Sequence, residues 1–212
     1  AGQNTLALSG GSIGGDAHGG WSDSGSASNN RVTLYGTDVS GSASGGRSAT
    51  GSASDNSVSM TSGSVDNPYG GYTDGTGATM RAVNNTVTLT GGSGTGPRVD
   101  GNVIGGMGGA GAVTTGNRVN VSGTIIFNGA NEIRGGSNAD ITGNILTTHG
   151  RDYSVGTIGN FETYNFTLSR EYIGETVYTI NTTAVDVGGT TVNIVFNSGG
   201  SPLDKGDVIT LF

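Results

Sequence analysis

The sequence predicts an all-β protein, a β-solenoid read as a right-handed parallel β-helix with coils of about 26–32 residues. Three observations predict it: a short strand led by asparagine that recurs along the chain, a Gly-Gly pair that recurs downstream of it, and a spacer of Ser, Gly, Thr and Ala between successive copies. A β-sandwich is the alternative, because short strands with frequent turns suit it too. A sandwich explains neither recurrence.

The asparagine-led strands come first. Asn4-Thr-Leu-Ala-Leu8 is followed by Asn30-Arg-Val-Thr-Leu34, Asn56-Ser-Val-Ser-Met60, Asn85-Thr-Val-Thr-Leu89 and Asn117-Arg-Val-Asn-Val121. A degenerate copy opens at Asn144. Units therefore run near 4–29, 30–55, 56–84, 85–116 and 117–143. Within each strand apolar and polar residues alternate, so Val32 and Leu34, Val58 and Met60, and Val87 and Leu89 face a core. One unit buries too little to offset its ordering entropy. Stacked units merge their cores, and asparagines repeated at one coil position can form an amide ladder. Asn4, Asn30, Asn56, Asn85 and Asn117 are the predicted structural anchors.

The second landmark is the glycine pair: Gly19-Gly20, Gly45-Gly46, Gly70-Gly71, Gly105-Gly106 and Gly135-Gly136. These pairs are expected at corners, supplying positive φ where the chain turns between faces. A second short strand is expected between anchor and glycine pair, as at Ser12-Ile13-Gly14, Ser64-Val65-Asp66 and Asn102-Val103-Ile104. Composition shifts near Arg151: residues 1–150 hold 35 glycines and five aromatics, residues 151–212 eight of each. The later segment reads as further β coils or a cap on the same domain, with strands at Phe161–Leu168, Val177–Thr182, Thr190–Phe196 and Asp207–Phe212 and a turn at Pro202–Gly206.

Composition excludes several function classes. The chain has 43 glycines in 212 residues but three prolines and no Gly-X-Y period, which rules out collagen. No cysteine means no disulfide framework and no thiolate zinc site. No apolar run is long enough for a membrane-spanning helix, so no span is expected in this segment. The net charge of −7 and the scattered arginines argue against a nucleic-acid partner.

Asn85-Thr-Val-Thr-Leu-Thr-Gly-Gly with Gly101-Asn-Val-Ile-Gly-Gly106, and the aromatic version Asn67-Pro-Tyr-Gly-Gly-Tyr72, resemble the repeats of bacterial autotransporter passengers, the type V secreted proteins with haemagglutinin- or adhesin-like β-helices. Phe161–Leu168, Thr176–Ile180 and Leu203–Leu211 resemble the segment C-terminal to those repeats in the same proteins. The resemblance implies a β-helical segment at the bacterial cell surface or outer membrane, or extracellular after processing. It implies an adhesive or stalk role and, in the full-length protein, a separate C-terminal β-barrel. Its motifs are structural and carry no catalytic residue over.

Few residues suggest chemistry. Trp21-Ser-Asp-Ser-Gly-Ser26 is similar to a serine-protease nucleophile loop, but His18 is too near Ser22 in sequence to complete a triad and the segment coincides with the repeat spacer. Gly135–Gly143 partly matches a calcium-binding nonapeptide that works only in stacked copies, and reads as a turn. His18 and His149 define no metal site by spacing. Asp152, Glu162, Glu171 and Glu175 are the candidates for an acid pair. Thr88-Leu-Thr90 would suit an ice-binding row, but the equivalent positions elsewhere are irregular. Trp21, Tyr69 and Tyr72 flank glycine pairs and are the candidate ligand-binding residues, an aromatic strip suited to glycan or protein contact. No metal or cofactor is expected.

The function expected from these features is non-catalytic binding to a host surface protein or glycan, or to a neighbouring cell. The alternatives are a β-helical polysaccharide lyase or hydrolase, and a purely structural spacer.

Overall fold

The computed structural model describes residues 1–212 except 93, 95, 129–130, 183–184, 186, 198–203 and 205. The described chain winds as a β-solenoid of about seven turns, with a single 3-10 turn at Arg170–Tyr172. One sheet runs its length, with eight strands stacked in chain order: Thr5–Ser9, Arg31–Tyr35, Ser57–Met60, Thr86–Thr90, Arg118–Ser122, Ile145–His149, Thr163–Leu168 and Thr191–Phe196. Neighbouring strands in this sheet pair in parallel without a register shift. Parallel stacking of consecutive units excludes the sandwich, whose hairpin-linked strands would pair antiparallel.

Register turns the alternation of each strand into columns. Leu6, Val32, Val58, Val87, Val119, Leu146 and Tyr164 stack along one inward column, and Leu8, Leu34, Met60, Leu89, Val121, Thr148 and Phe166 along the next. Thr148 is the polar exception, and its hydroxyl is satisfied by that of Tyr178 at 2.9 Å. The second side of the solenoid is a larger sheet carrying the glycine pairs, and the third is short, formed by Ala27–Ser28, Ala53–Ser54 and Ala82–Val83.

The asparagine anchors form a continuous inner ladder. The Asn30 carboxamide oxygen accepts from the backbone N–H and the side-chain amide of Asn4, at 3.1 and 2.9 Å. Asn56 accepts both from Asn30, Asn85 from Asn56, Asn117 from Asn85, and Asn144 from Asn117, over 2.9–3.4 Å. The amides of Asn56, Asn85 and Asn117 also donate to Ala27, Ala53 and Ala82 carbonyls of the preceding coil. Asn30, Asn56, Asn85, Asn117 and Asn144 are all buried. The degenerate copy at Asn144 is thus the ladder's last rung, its own backbone N–H donating to the Ile141 carbonyl.

The residue before each anchor takes the left-handed conformation: Gln3, Asn29, Asp55, Asn84, Gly116 and Gly143 have φ of 58°, 57°, 57°, 58°, 69° and 68°. Asn, Asp and Gly tolerate that region best. This turn aims the following asparagine inward.

The glycine pairs depart from the expected role. They sit within or beside strands, not at corners, and none has a positive φ. Their role is absence of a side chain. A Cβ on Gly45 would lie 2.4 Å from the Gly70 carbonyl oxygen, and one on Gly71 2.3 Å from Asn85 Oδ1. The first glycine lets the next coil approach; the second makes room for the ladder.

Two further expectations change. Asn102-Val103-Ile104 is not equivalent to Ser64-Val65-Asp66, because Val65 pairs with Val99 while Ile104 pairs with Tyr69. Coil four absorbs its extra residues before Arg98, which preserves the glycine register. Asp207–Phe212 is not a regular strand, but it runs parallel beside residues 174–178, with a bridge between Thr176 and Thr210 and backbone hydrogen bonds joining Val208, Thr210 and Leu211 to Gly174, Glu175, Val177 and Tyr178. Phe212 packs its ring on Tyr164, Phe166 and Tyr178. The turn expected at Pro202–Gly206 lies largely outside the described residues.

Asn85→Ala strands the buried Asn56 N–H and should cost about 2–4 kcal/mol by urea denaturation, at about 1–3 kcal/mol per unsatisfied buried group. Ser59→Ala, on the outward face of the same sheet, should stay within about 0.5 kcal/mol.

Candidate functional site

The first four glycine pairs are each flanked by residues at either end of a four-residue segment: His18 and Trp21, Ser44 and Arg47, Tyr69 and Tyr72, Ile104 and Met107. Parallel register stacks them into two columns on the outside of the second sheet. One runs His18, Ser44, Tyr69, Ile104 and the other Trp21, Arg47, Tyr72, Met107. No side chain stands between the columns, so rings meet across the glycines. His18 and Trp21 centroids are 5.1 Å apart, and Tyr69 and Tyr72 are 5.4 Å apart in an edge-to-face arrangement. Trp21, Tyr69 and Tyr72 therefore share one patch.

Arg47 joins its halves. The guanidinium carbon lies 4.6 Å from the Trp21 ring centroid on one side and 4.6 Å from that of Tyr72 on the other. Its Nε and Nη2 donate to Asp74, with an ion-pair distance of 3.1 Å, and Nη1 reaches Asp16 at 3.5 Å. A cation between two rings and two carboxylates is satisfied inside the molecule. It ties three successive coils together. The ring surfaces directed along the stack are consequently occupied by Arg47, while Trp21 remains 46% exposed. Trp21 Nε1 donates to Asp23 at 2.6 Å.

His18 completes the patch. Its Nδ1 lies 2.6 Å from the Ser44 hydroxyl, and its Nε2 is 3.8 Å from Asp16. Burial first, and Arg47 second, pull its pKa below the ordinary histidine value, against the opposing pull of Asp16 and Asp74. Burial raises the phenol pKa values of Tyr69 and Tyr72, so both keep their protons at neutral pH.

The remaining sequence candidates are dispersed. Ser22 Oγ accepts the Gly25 N–H at 3.1 Å, closing its own turn, while His18 faces Ser44, which is fully buried. In the nonapeptide-like segment Asn138 donates to the Ala112 carbonyl at 2.7 Å and Asp140 accepts the Thr142 N–H at 3.0 Å, a local turn. His149, on the first sheet, lies 3.3 Å from Asn197 and far along the stack from His18. Glu162 accepts the Gly143 N–H at 2.6 Å. Asp152 pairs with Arg151 at 3.3 Å, beside Glu171 in an open pocket of about 360 Å³. A second groove of about 490 Å³ is lined by Asp38, Asp66 and Asp100, each already hydrogen-bonded to Ser64, Asn67, and Arg98 with Asn128. Among the described residues no group of three or more His, Asp or Glu is arranged to hold a metal ion.

Arg47, Asp16 and Asp74 are not singled out by the sequence. A signal is present all the same, since Arg47 follows Gly45-Gly46 as Trp21 and Tyr72 follow their own glycine pairs.

No protein-family model matches the chain, and no curated protein or solved structure is significantly similar to it.

Arg47→Met removes two cation–π contacts and two partly exposed ion pairs, and should cost about 1–2 kcal/mol by urea denaturation. Trp21, the only tryptophan, should report the change in its fluorescence. Because the folded state holds His18 below its unfolded pKa, the contribution of neutral His18 is complete above about pH 6.5 and falls away as pH drops from there through the lower folded value. Urea midpoints measured from pH 7.5 to 5 should show this decline, and His18→Gln should flatten it.

Proposed function

We propose that this chain is a surface-exposed passenger segment of a bacterial autotransporter, acting as an adhesin without catalysis. In this reading it is displayed on the outer membrane, or released outside the cell after processing, and binds a host surface protein or glycan. The observation that carries the proposal is the patch of His18, Trp21, Arg47, Tyr69 and Tyr72. Aromatic and arginine side chains dominate binding energy at interfaces, and here they stand on a rigid parallel stack. Their rotamers are fixed by mutual contact, so little side-chain entropy remains to be lost on binding. The β-helical repeat and the autotransporter-like motifs support the surface assignment.

A structural spacer is the second reading. It is favoured by Arg47, which spends ring surface of Trp21 and Tyr72 on joining coils. Beads coated with the purified chain, tested on epithelial cells and on glycan arrays, separate the two. An adhesin should bind, and Tyr69→Ala and Trp21→Ala should each weaken binding about tenfold or more, as for interface anchors. Binding that both variants leave intact would move the contact away from the patch, whereas a chain that binds nothing is a spacer. Turnover of any glycan would replace the adhesin with an enzyme.

A further inference from the structure

We infer that the outward face of the first sheet binds a linear acidic polysaccharide laid along the solenoid axis, its acid groups held by Arg31 and Arg118. The face lies within the stack. Each strand from Arg31–Tyr35 to Arg118–Ser122 is paired on both edges, so the contact does not depend on what adjoins either end of the solenoid. It is also separate from the aromatic patch, which stands on the second sheet.

The charge distribution sets this face apart. The chain has 16 Asp and Glu against nine Lys and Arg, yet none of the eight strands of the first sheet contains an acid. Asp55 and Glu162 lie outside the strands, at the corner leading into them, and Glu162 is engaged by the Gly143 N–H. Among the described residues Arg47, Arg98, Arg134, Arg151 and Arg170 each have a carboxylate within ion-pair distance, over 2.7–3.5 Å. Arg31, Arg81 and Arg118 have none, and two of these three share one outward column of this sheet. Arg31 Nε donates to the Thr33 hydroxyl of its own strand at 3.2 Å. The exposed Arg118 side chain has no hydrogen-bond partner among the described residues. Guanidinium groups left unpaired where acids are excluded favour an external carboxylate or sulfate.

The spacing of the two cations selects the class of polyanion. Three strand steps separate Arg31 from Arg118 in their column, about 14 Å at about 4.8 Å per step. Duplex DNA, with a charge every ~1.7 Å of axis, would set many phosphates against each guanidinium. An acidic polysaccharide spaces its charges by whole sugars and places hydroxyls between them. The face answers those hydroxyls in kind. Ser57 and Thr86 stand between the arginines in their column. Thr33, Ser59, Thr88 and Asn120 form the next column, with Asn120 Nδ2 donating to Thr88 Oγ1 at 3.3 Å. Threonine is stiff at χ1 and the strands pair without a register shift, so the array is set before a ligand arrives and loses little entropy on binding. With a net charge of −7 on the whole chain, only an acid-free face lets a polyanion approach closely, and added salt should weaken the contact.

Biolayer interferometry on immobilised hyaluronan, a linear chain in which acidic and neutral sugars alternate, tests the inference. The comparison probe is carboxyl-reduced hyaluronan, the same chain with its carboxylates converted to alcohols. The parent should bind hyaluronan and bind the reduced chain about tenfold less tightly or worse. Arg31→Gln and Arg118→Gln should each weaken binding about threefold, and together about tenfold, as for exposed charge pairs. Ser59→Glu, which sets a carboxylate between the two arginines, should weaken it about tenfold as well. Arg81→Gln removes the same charge from a position beside the third side of the coil and should bind like the parent. All four positions face outward, so each variant should keep the circular dichroism of the parent. The inference is overturned if the parent does not bind hyaluronan, if the carboxyl-reduced chain binds as tightly, if Arg81→Gln weakens binding as much as Arg31→Gln, or if duplex DNA at equal charge competes as well as free hyaluronan.

Discussion

The hydrogen bonds from one asparagine to the carboxamide oxygen of the next are the constraint on which the rest of this solenoid depends. A parallel strand pair satisfies backbone groups within a sheet, but the corner entering each strand turns an N–H inward, away from water. Asn30, Asn56, Asn85 and Asn117 solve this by accepting that N–H from the previous coil while their amides donate onward and back. The solution works only if every coil repeats it in register. Coil length is therefore free to vary between rungs, with anchor separations of 26, 29 and 32 residues, while the rungs stay stacked.

Other features depend on that ladder. The left-handed residue before each anchor directs the carboxamide inward, and Gly20, Gly46 and Gly71 leave it space. With backbone and carboxamide filling that corner, the apolar core is thin and needs only small columns of Val, Leu and Met. Where the ladder stops, after Asn144, the core changes character and is filled by Tyr153, Phe161, Tyr164, Phe166 and Tyr178. Deep burial raises the pKa of the Tyr153 and Tyr178 phenols well above the ordinary tyrosine value, so both remain neutral within that core.

Much of this is legible in the sequence, and the failures have physical reasons. The first sheet can be read from alternation and period because both are fixed by the inward columns. The glycine pairs are located correctly but given the wrong role, since a glycine required for positive φ and one required for lack of a Cβ are the same letter. Gly36, with a φ of 65°, is of the first kind and Gly46 of the second. The left-handed positions are hidden because Gln3, Asn29, Asp55 and Gly116 share a conformation rather than an identity. The patch is half visible: Trp21, Tyr69 and Tyr72 stand out as aromatics, but the Arg47 that joins them becomes meaningful only when coils are superposed.

Native-state hydrogen exchange at the rungs tests the central claim most directly. The ladder requires the backbone N–H of Asn30, Asn56, Asn85 and Asn117 to exchange as slowly as the strand amides of Val58 and Val87, with the anchor side-chain amides protected alongside them. Exchange of those asparagine groups at the rate of the exposed Ser24–Ser26 turn, while the strand amides stay protected, would show a β stack held together without the ladder and would contradict the account.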